Sequence, residues 1–115
     1  MIPNFIMKKL IFNFSKFLFF LTIFISTFNQ VNSDEIFEKG KIIFLEQGNC
    51  AACHALADAG SDANIGPNLN QIRPDINRVM VAVTNGIGVM PAYQGELTEE
   101  EIEAVAHYVS VAAEN

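Results

Sequence analysis

The residues of this 115-residue chain best suited to chemistry are Cys50-Ala51-Ala52-Cys53-His54, a CxxCH in a chain with no other cysteine. Two thiols three positions apart can each add across one vinyl group of a single porphyrin, and a histidine beside the second thiol can bring its imidazole to the iron. Cys50 and Cys53 therefore read as thioether tethers, and His54 as the proximal axial ligand. Three other chemistries compete for these residues. A CxxC pair can cycle between dithiol and disulfide, but the βαβ pattern of thioredoxin-like proteins is missing and that motif requires no following histidine. A zinc site could draw on Cys50, Cys53, His54 and distant His107, yet His54 lies too close to Cys53 to join it easily around a tetrahedral ion. A plain structural disulfide leaves His54 unexplained.

Iron held by one histidine has a second axial position, and a thioether sulfur can fill it. Beyond residue 33 the methionines are Met80 and Met90. Met80 shares the apolar face of a short helix with Val79, Val81 and Val83, a setting that suits core filling. Met90 lies in Gly86-Ile87-Gly88-Val89-Met90-Pro91, whose glycines permit close backbone approach and whose proline fixes the chain direction. Met90 is the expected ligand.

Helices must carry these groups. Asp34 to Gln47 places Ile36, Phe37, Ile43 and Phe44 on an apolar face, with acids in the first turn and Gly48 past the end. Gly40 inside it costs about 1 kcal/mol against alanine, which close helix packing would explain. Residues 55–73, rich in Gly, Asn, Asp and Pro, predict irregular loop with a short helical turn near Asn70. Asp75 caps a short helix to Thr84, ended by Asn85-Gly86. Thr98 and Glu101 form a capping box for a last helix to Ala113, striped by Ile102, Val105, Ala106, Val109 and Ala112. His107 lies about 140° around that helix from Ile102 and is expected at the surface. The fold class predicted is all-α, with three to four helices.

The N-terminus sets the compartment. Lys8 and Lys9 precede an apolar stretch whose uncharged part, Phe17 to Phe28, spans 12 residues, and Val31-Asn32-Ser33 offers small residues before Asp34. Residues 1–33 read as a secretory signal peptide, with Met7 as an alternative start. The run falls short of the roughly 20 residues needed to span a bilayer, so cleavage is favoured over a retained anchor. Cleavage after Ser33 leaves one domain, residues 34–115, of 82 residues with 4 basic and 13 acidic side chains, net −9. Eight of the ten phenylalanines go with the leader. A domain this small has a marginal core, and a covalently held haem would both fill and cross-link it.

In order along residues 34–115, Gly40 and Phe44, CxxCH, Gly66-Pro67-Asn68-Leu69, Met90-Pro91 and a closing helix with Tyr108 resemble the class I monohaem cytochromes c. The resemblance implies one covalent haem c, crossing of the first and last helices at Gly40 and Tyr108, and a role for Pro67, whose carbonyl would accept the other ring N–H of His54 and orient the imidazole. It also marks departures. Cys50 lies six positions beyond Phe44, two more than is common, and no tryptophan is present to contact a haem propionate. Arg73 is the cation considered for that contact, and Tyr93 or Asn85 the donors considered for the Met90 sulfur.

Histidine and methionine together close both axial positions, so the chain is expected to carry electrons and not to be an enzyme: a periplasmic one-electron carrier working between a dehydrogenase or respiratory complex and a terminal acceptor. Its acidity excludes nucleic acid as a partner, disfavours anionic membrane surfaces and self-association, and favours redox proteins with basic docking patches. A monomer without stable membrane association follows once the leader is removed. Two alternatives differ in kind. Gly86 to Tyr93 is similar to small cytochromes that serve periplasmic dehydrogenases such as sulfite dehydrogenase, which implies a subunit. A displaceable Met90 would instead give a haem sensor or enzyme.

Overall fold

A computed structural model of the chain describes residues 3–26 and 32–115. Two compact units emerge, 1–31 and 32–115. Among the described residues the first contains one helix, α1 (Asn4–Ser26), with Phe5, Leu10, Ile11, Phe12 and Phe14 exposed. Among the described residues no helix is long and apolar enough to cross a membrane. Two features of the leader reading, the end of its apolar stretch at 27–28 and Val31 of the small-residue triplet, lie outside the described residues.

The second unit is built on two helices that cross. Helix α2 (Ser33–Ile42) packs on the C-terminal α5 (Glu99–Ala112), the largest contact between elements in the unit. The crossing needs a glycine. A β-carbon on Gly40 would fall on the Ala104 carbonyl and 2.6 Å from the Tyr108 Cβ, so the propensity lost at Gly40 is offset by close approach. Tyr108, fully buried, stands with its ring edge-to-face to Phe37 at 4.9 Å and to Phe44 at 5.7 Å between centroids. These three aromatics, with Ile43, Leu56, Ile102, Val105 and Val109, join the main core.

The helix predicted to run unbroken to Gln47 changes pitch. After Ile42 the chain continues as a single π-helical turn, Ile43–Gln47, closed by Gly48 N–H on the Ile43 carbonyl at 2.8 Å. A π turn holds more residues than an α turn. It overlaps the stretch between Phe44 and Cys50 and is followed by Gly48 and then Asn49, the latter in the left-handed region at φ 48°.

Residues 54–64, expected as loop, include a two-stranded antiparallel sheet: β1 (His54–Leu56) against β2 (Ser61–Asn64), with an irregularity between His54 and Ala55. Side chains rather than strand propensity hold it. Ser61 Oγ donates to the His54 carbonyl at 2.9 Å and accepts from Leu56 N–H at 3.1 Å, while Leu56 is fully buried. The sheet is a minor addition to an otherwise helical domain.

The remaining helices follow their caps. The turn near Asn70 is α3 (Leu69–Ile72), with the Asn68 side chain accepting from Gln71 N–H. Helix α4 (Ile76–Asn85) starts where Asp75 accepts from Arg78 N–H at 3.0 Å and stops at Gly86, φ 72°. Helix α5 carries the full capping box: Glu101 N–H on Thr98 Oγ1 at 3.2 Å, and Thr98 N–H on the Glu101 carboxylate at 2.8 Å. His107 is half-buried rather than at the surface, because α5 buries Ala104, Ala106 and Tyr108 as well as the Ile102 stripe, leaving little of its circumference open.

Candidate functional site: an apolar cavity between the CxxCH segment and the Met90 loop

A cavity of about 570 Å³ lies inside the second unit. Its size falls in the roughly 300–1,000 Å³ range of cofactor sites. Phe44, Leu69, Val79, Val83, Val105 and Val109 form apolar walls. Into this enclosure come Cys50, Cys53, His54, Pro67 and Met90, five residues gathered from three separate segments of the chain. Met80 is not among the lining residues; it packs against the core.

The geometry around His54 fixes its chemistry. His54 Nδ1 is 2.8 Å from the Pro67 carbonyl oxygen. A carbonyl can only accept, so the proton is assigned to Nδ1, which leaves the Nε2 lone pair free to bind a metal. Gly66 braces the ring: a β-carbon there would lie 2.6 Å from His54 Cε1 and 2.8 Å from Nδ1. Gly66 N–H in turn donates to the Cys53 carbonyl at 2.7 Å, tying the Gly66-Pro67 strand of loop to the CxxCH turn.

The cysteines occupy a short 3-10 turn, Cys50–Ala52, with both thiols half-buried and not bonded to each other. Burial is the largest effect and outweighs the downward pull of a backbone hydrogen bond; with a smaller push from neighbouring Cys53 it raises the Cys50 thiol to about 11. Dithiol redox motifs work through a depressed thiol pKa, so this shift runs against that chemistry. The zinc alternative also lacks geometry: among the described residues no three His, Cys, Asp or Glu side chains converge as metal ligands.

Met90 reaches the same cavity on a tight turn. Ile87 N–H donates to the Met90 carbonyl at 3.2 Å and Met90 N–H to the Ile87 carbonyl at 3.0 Å, with Gly88 at φ 58° between them. Gly86 lets this turn fold back on itself, since a β-carbon there would sit 2.6 Å from the Met90 carbonyl oxygen.

Three side chains differ from their sequence-based expectations. Arg73 does not line the cavity; it ends α3 in the left-handed region at φ 41°, and the cation that does line the cavity is Arg78. Arg78 gave no signal in the sequence beyond its place in the first turn of a capped helix. Asn85 directs its amide to the Val81 carbonyl at 3.1 Å and does not line the cavity, and the single hydroxyl proton of Tyr93 is donated to the Gly48 carbonyl at 2.8 Å.

A small helical domain whose apolar cavity brings together two thiols, an imidazole with a free Nε2 and a thioether is a protein built to hold haem. The cavity, the donor set and the glycines that would clash if substituted all fit that group. Residues 36–109 match the family model described as cytochrome c oxidase, cbb3-type, subunit III. The chain is 36% identical to cytochrome c6 of Gracilaria tenuistipitata var. liui, covering 86% of this chain and 94% of that protein. Cytochrome c6 of Leptolyngbya boryana is 38% identical across 57% of this chain and 82% of its own length. Among solved structures, the c-type cytochrome SorU from Sinorhizobium meliloti superposes with a TM-score of 0.66 at 54% identity, covering 70% of this chain and 93% of SorU. The chain belongs to the class I monohaem c-type cytochromes and carries covalently bound haem c.

Proposed function

We propose that this cytochrome is a periplasmic one-electron carrier whose haem c is tethered by Cys50 and Cys53 and ligated by His54 and Met90. Haem iron in such a site supplies a reversible ferrous–ferric couple. The single observation that carries the reading is that His54 and Met90 line the same cavity from different segments, with the imidazole proton already committed to Pro67. A histidine and a methionine on the iron leave no position for oxygen or a substrate. Arg78, the charged side chain in the lining, is the residue placed to meet a propionate.

The rim of the cavity supports a carrier that meets its partners briefly. Ile65, Ile87 and Val89 line the cavity and are 71%, 65% and 93% exposed, and no Asp or Glu is in the lining. The acids sit elsewhere, with Asp34 and Glu35 opening α2 and Glu99, Glu100 and Glu101 opening α5. Distant acids steer the encounter with a basic partner, and the apolar rim makes the contact. Removal of residues 1–33 leaves the domain free in the periplasm as a monomer. A subunit of a periplasmic dehydrogenase is the second reading, favoured by the likeness of Gly86 to Tyr93 to cytochromes that serve such enzymes.

Two measurements test the carrier. The ferrous protein, matured with haem attached, should titrate through one reversible electron and refuse carbon monoxide; carbon monoxide binding to the untreated protein would mean an open sixth position. Reduction by a basic partner should slow as salt rises, and indifference to salt or acceleration by it would remove the steering argument.

A further inference from the structure

The segment that bears Met90 and the segment that bears Cys50 are far apart in sequence and line the same cavity. Among the described residues one hydrogen bond joins residues 86–97 to residues 43–53: Tyr93 Oη donates to the Gly48 carbonyl at 2.8 Å. Each end of that bond is built in. Gly48 is buried, and its own N–H closes the π turn on Ile43. A β-carbon on Gly48 would lie 3.1 Å from Cys50 Sγ, so this carbonyl belongs to the chain directly beside the first tether. At the other end, Tyr93 N–H donates to the Val83 carbonyl of α4 at 2.8 Å, and the Tyr93 carbonyl accepts from Leu97 N–H at 2.9 Å. The phenol is thus fixed at its backbone, lines the cavity and reaches the Gly48 carbonyl. The Met90 turn itself hangs between α4 and Tyr93, held within by its Ile87 pair.

We propose that Tyr93 is a positioning residue: its hydroxyl latches the Met90 loop onto the π turn that precedes Cys50 and so holds the methionine side of the cavity shut. The π turn then has a purpose of its own, since it presents the Gly48 carbonyl as the latch plate. This inference rests on Met90 being the sixth ligand. Without the latch the loop opens more often, and the sulfur leaves its position more often.

Cyanide tests this on the ferric protein with haem attached, because it binds only when the sixth position opens. Tyr93→Phe keeps the ring and removes the donor. A typical net hydrogen bond, at about 1 kcal/mol, converts to roughly a fivefold faster cyanide-binding rate, with more expected because a buried carbonyl is left unpaired. Amide exchange at Ile87 and Met90 should accelerate in the same variant. Tyr108→Phe, which removes a hydroxyl bonded to Asp58 and not to either side of the latch, should lower the denaturation midpoint yet leave the cyanide rate within about twofold of wild type. A Tyr93→Phe rate equal to wild type overturns the latch, as does equal acceleration in Tyr108→Phe, which would show general loosening. Met90→Ala separates the premise: if it keeps the far-red methionine–iron band and the wild-type cyanide rate, the ligand assignment falls and the latch falls with it.

Discussion

Gly40 and Tyr108 touch where α2 crosses α5, with room for a hydrogen on Gly40 and no room for a methyl. The groups in the way are a carbonyl and a Cβ, neither of which can swing aside. Gly40→Ala therefore gains about 1 kcal/mol of helix propensity and loses more, up to about 3 kcal/mol, to overpacking. We expect a net loss of about 1–2 kcal/mol in chemical denaturation of the haem-loaded protein. A neutral or stabilised variant would show that the helices separate at little cost.

Tyr108 also carries a pH-dependent contribution. Its hydroxyl donates to Asp58 Oδ2 at 2.8 Å, and Lys41 Nζ lies 3.0 Å from the same oxygen. The Lys41 hydrogen bond first, then that from Tyr108, hold the Asp58 carboxyl below its ordinary value of 3.8, while burial pushes the Tyr108 phenol upward ahead of the Asp58 hydrogen bond. A depressed folded-state pKa stabilises at pH above the ordinary carboxylate value, and the contribution is lost as pH falls through the depressed one. Asp58→Asn should lower stability at pH 7 by on the order of 1 kcal/mol, since the carboxylate is partly exposed. The gap to wild type should close as pH falls below the ordinary carboxylate range. A gap that persists into acid would assign the loss to packing.

Much of this fold was legible because its helices announce themselves at their ends. Asp75 and the Thr98–Glu101 pair are local chemistry, and both caps form as their spacing predicts. What stayed hidden depends on contacts between distant residues. The β1–β2 pair has no alternating pattern, and is held by a serine hydroxyl and one buried leucine. The π turn has the same apolar spacing as the α-helix it continues. In the site, the CxxCH motif and the loop methionine are defined by local sequence, whereas Arg78 reaches the cavity only because α4 packs beside it. Tyr93 was picked out as a donor, but its acceptor, 45 positions away, could not be read from the chain.

Gly66 is the clearest case of a backbone position that serves the histidine. Any β-carbon there meets the imidazole at 2.6 to 3.1 Å, too close for an ordinary contact. Gly66→Ala should push the ring away from the Pro67 carbonyl and weaken the bond that orients it. We expect a lower reduction potential or a mixed-spin ferric spectrum, with stability reduced by about 1–3 kcal/mol. An unchanged spectrum and potential would mean that the His54 orientation does not depend on this packing.

The two methionines give opposite expectations from their surroundings. Met90 lines the cavity, whereas Met80 lies half-buried on α4 and packs against the core. Met80→Leu conserves volume and should cost less than about 1.5 kcal/mol without altering the visible spectrum. Met90→Ala should abolish the far-red methionine–iron band and let carbon monoxide bind the ferrous protein, while the haem stays attached through Cys50 and Cys53. If the band instead disappears in Met80→Leu and survives in Met90→Ala, the ligand is on α4, and α4 must turn from its present packing to bring Met80 into the cavity.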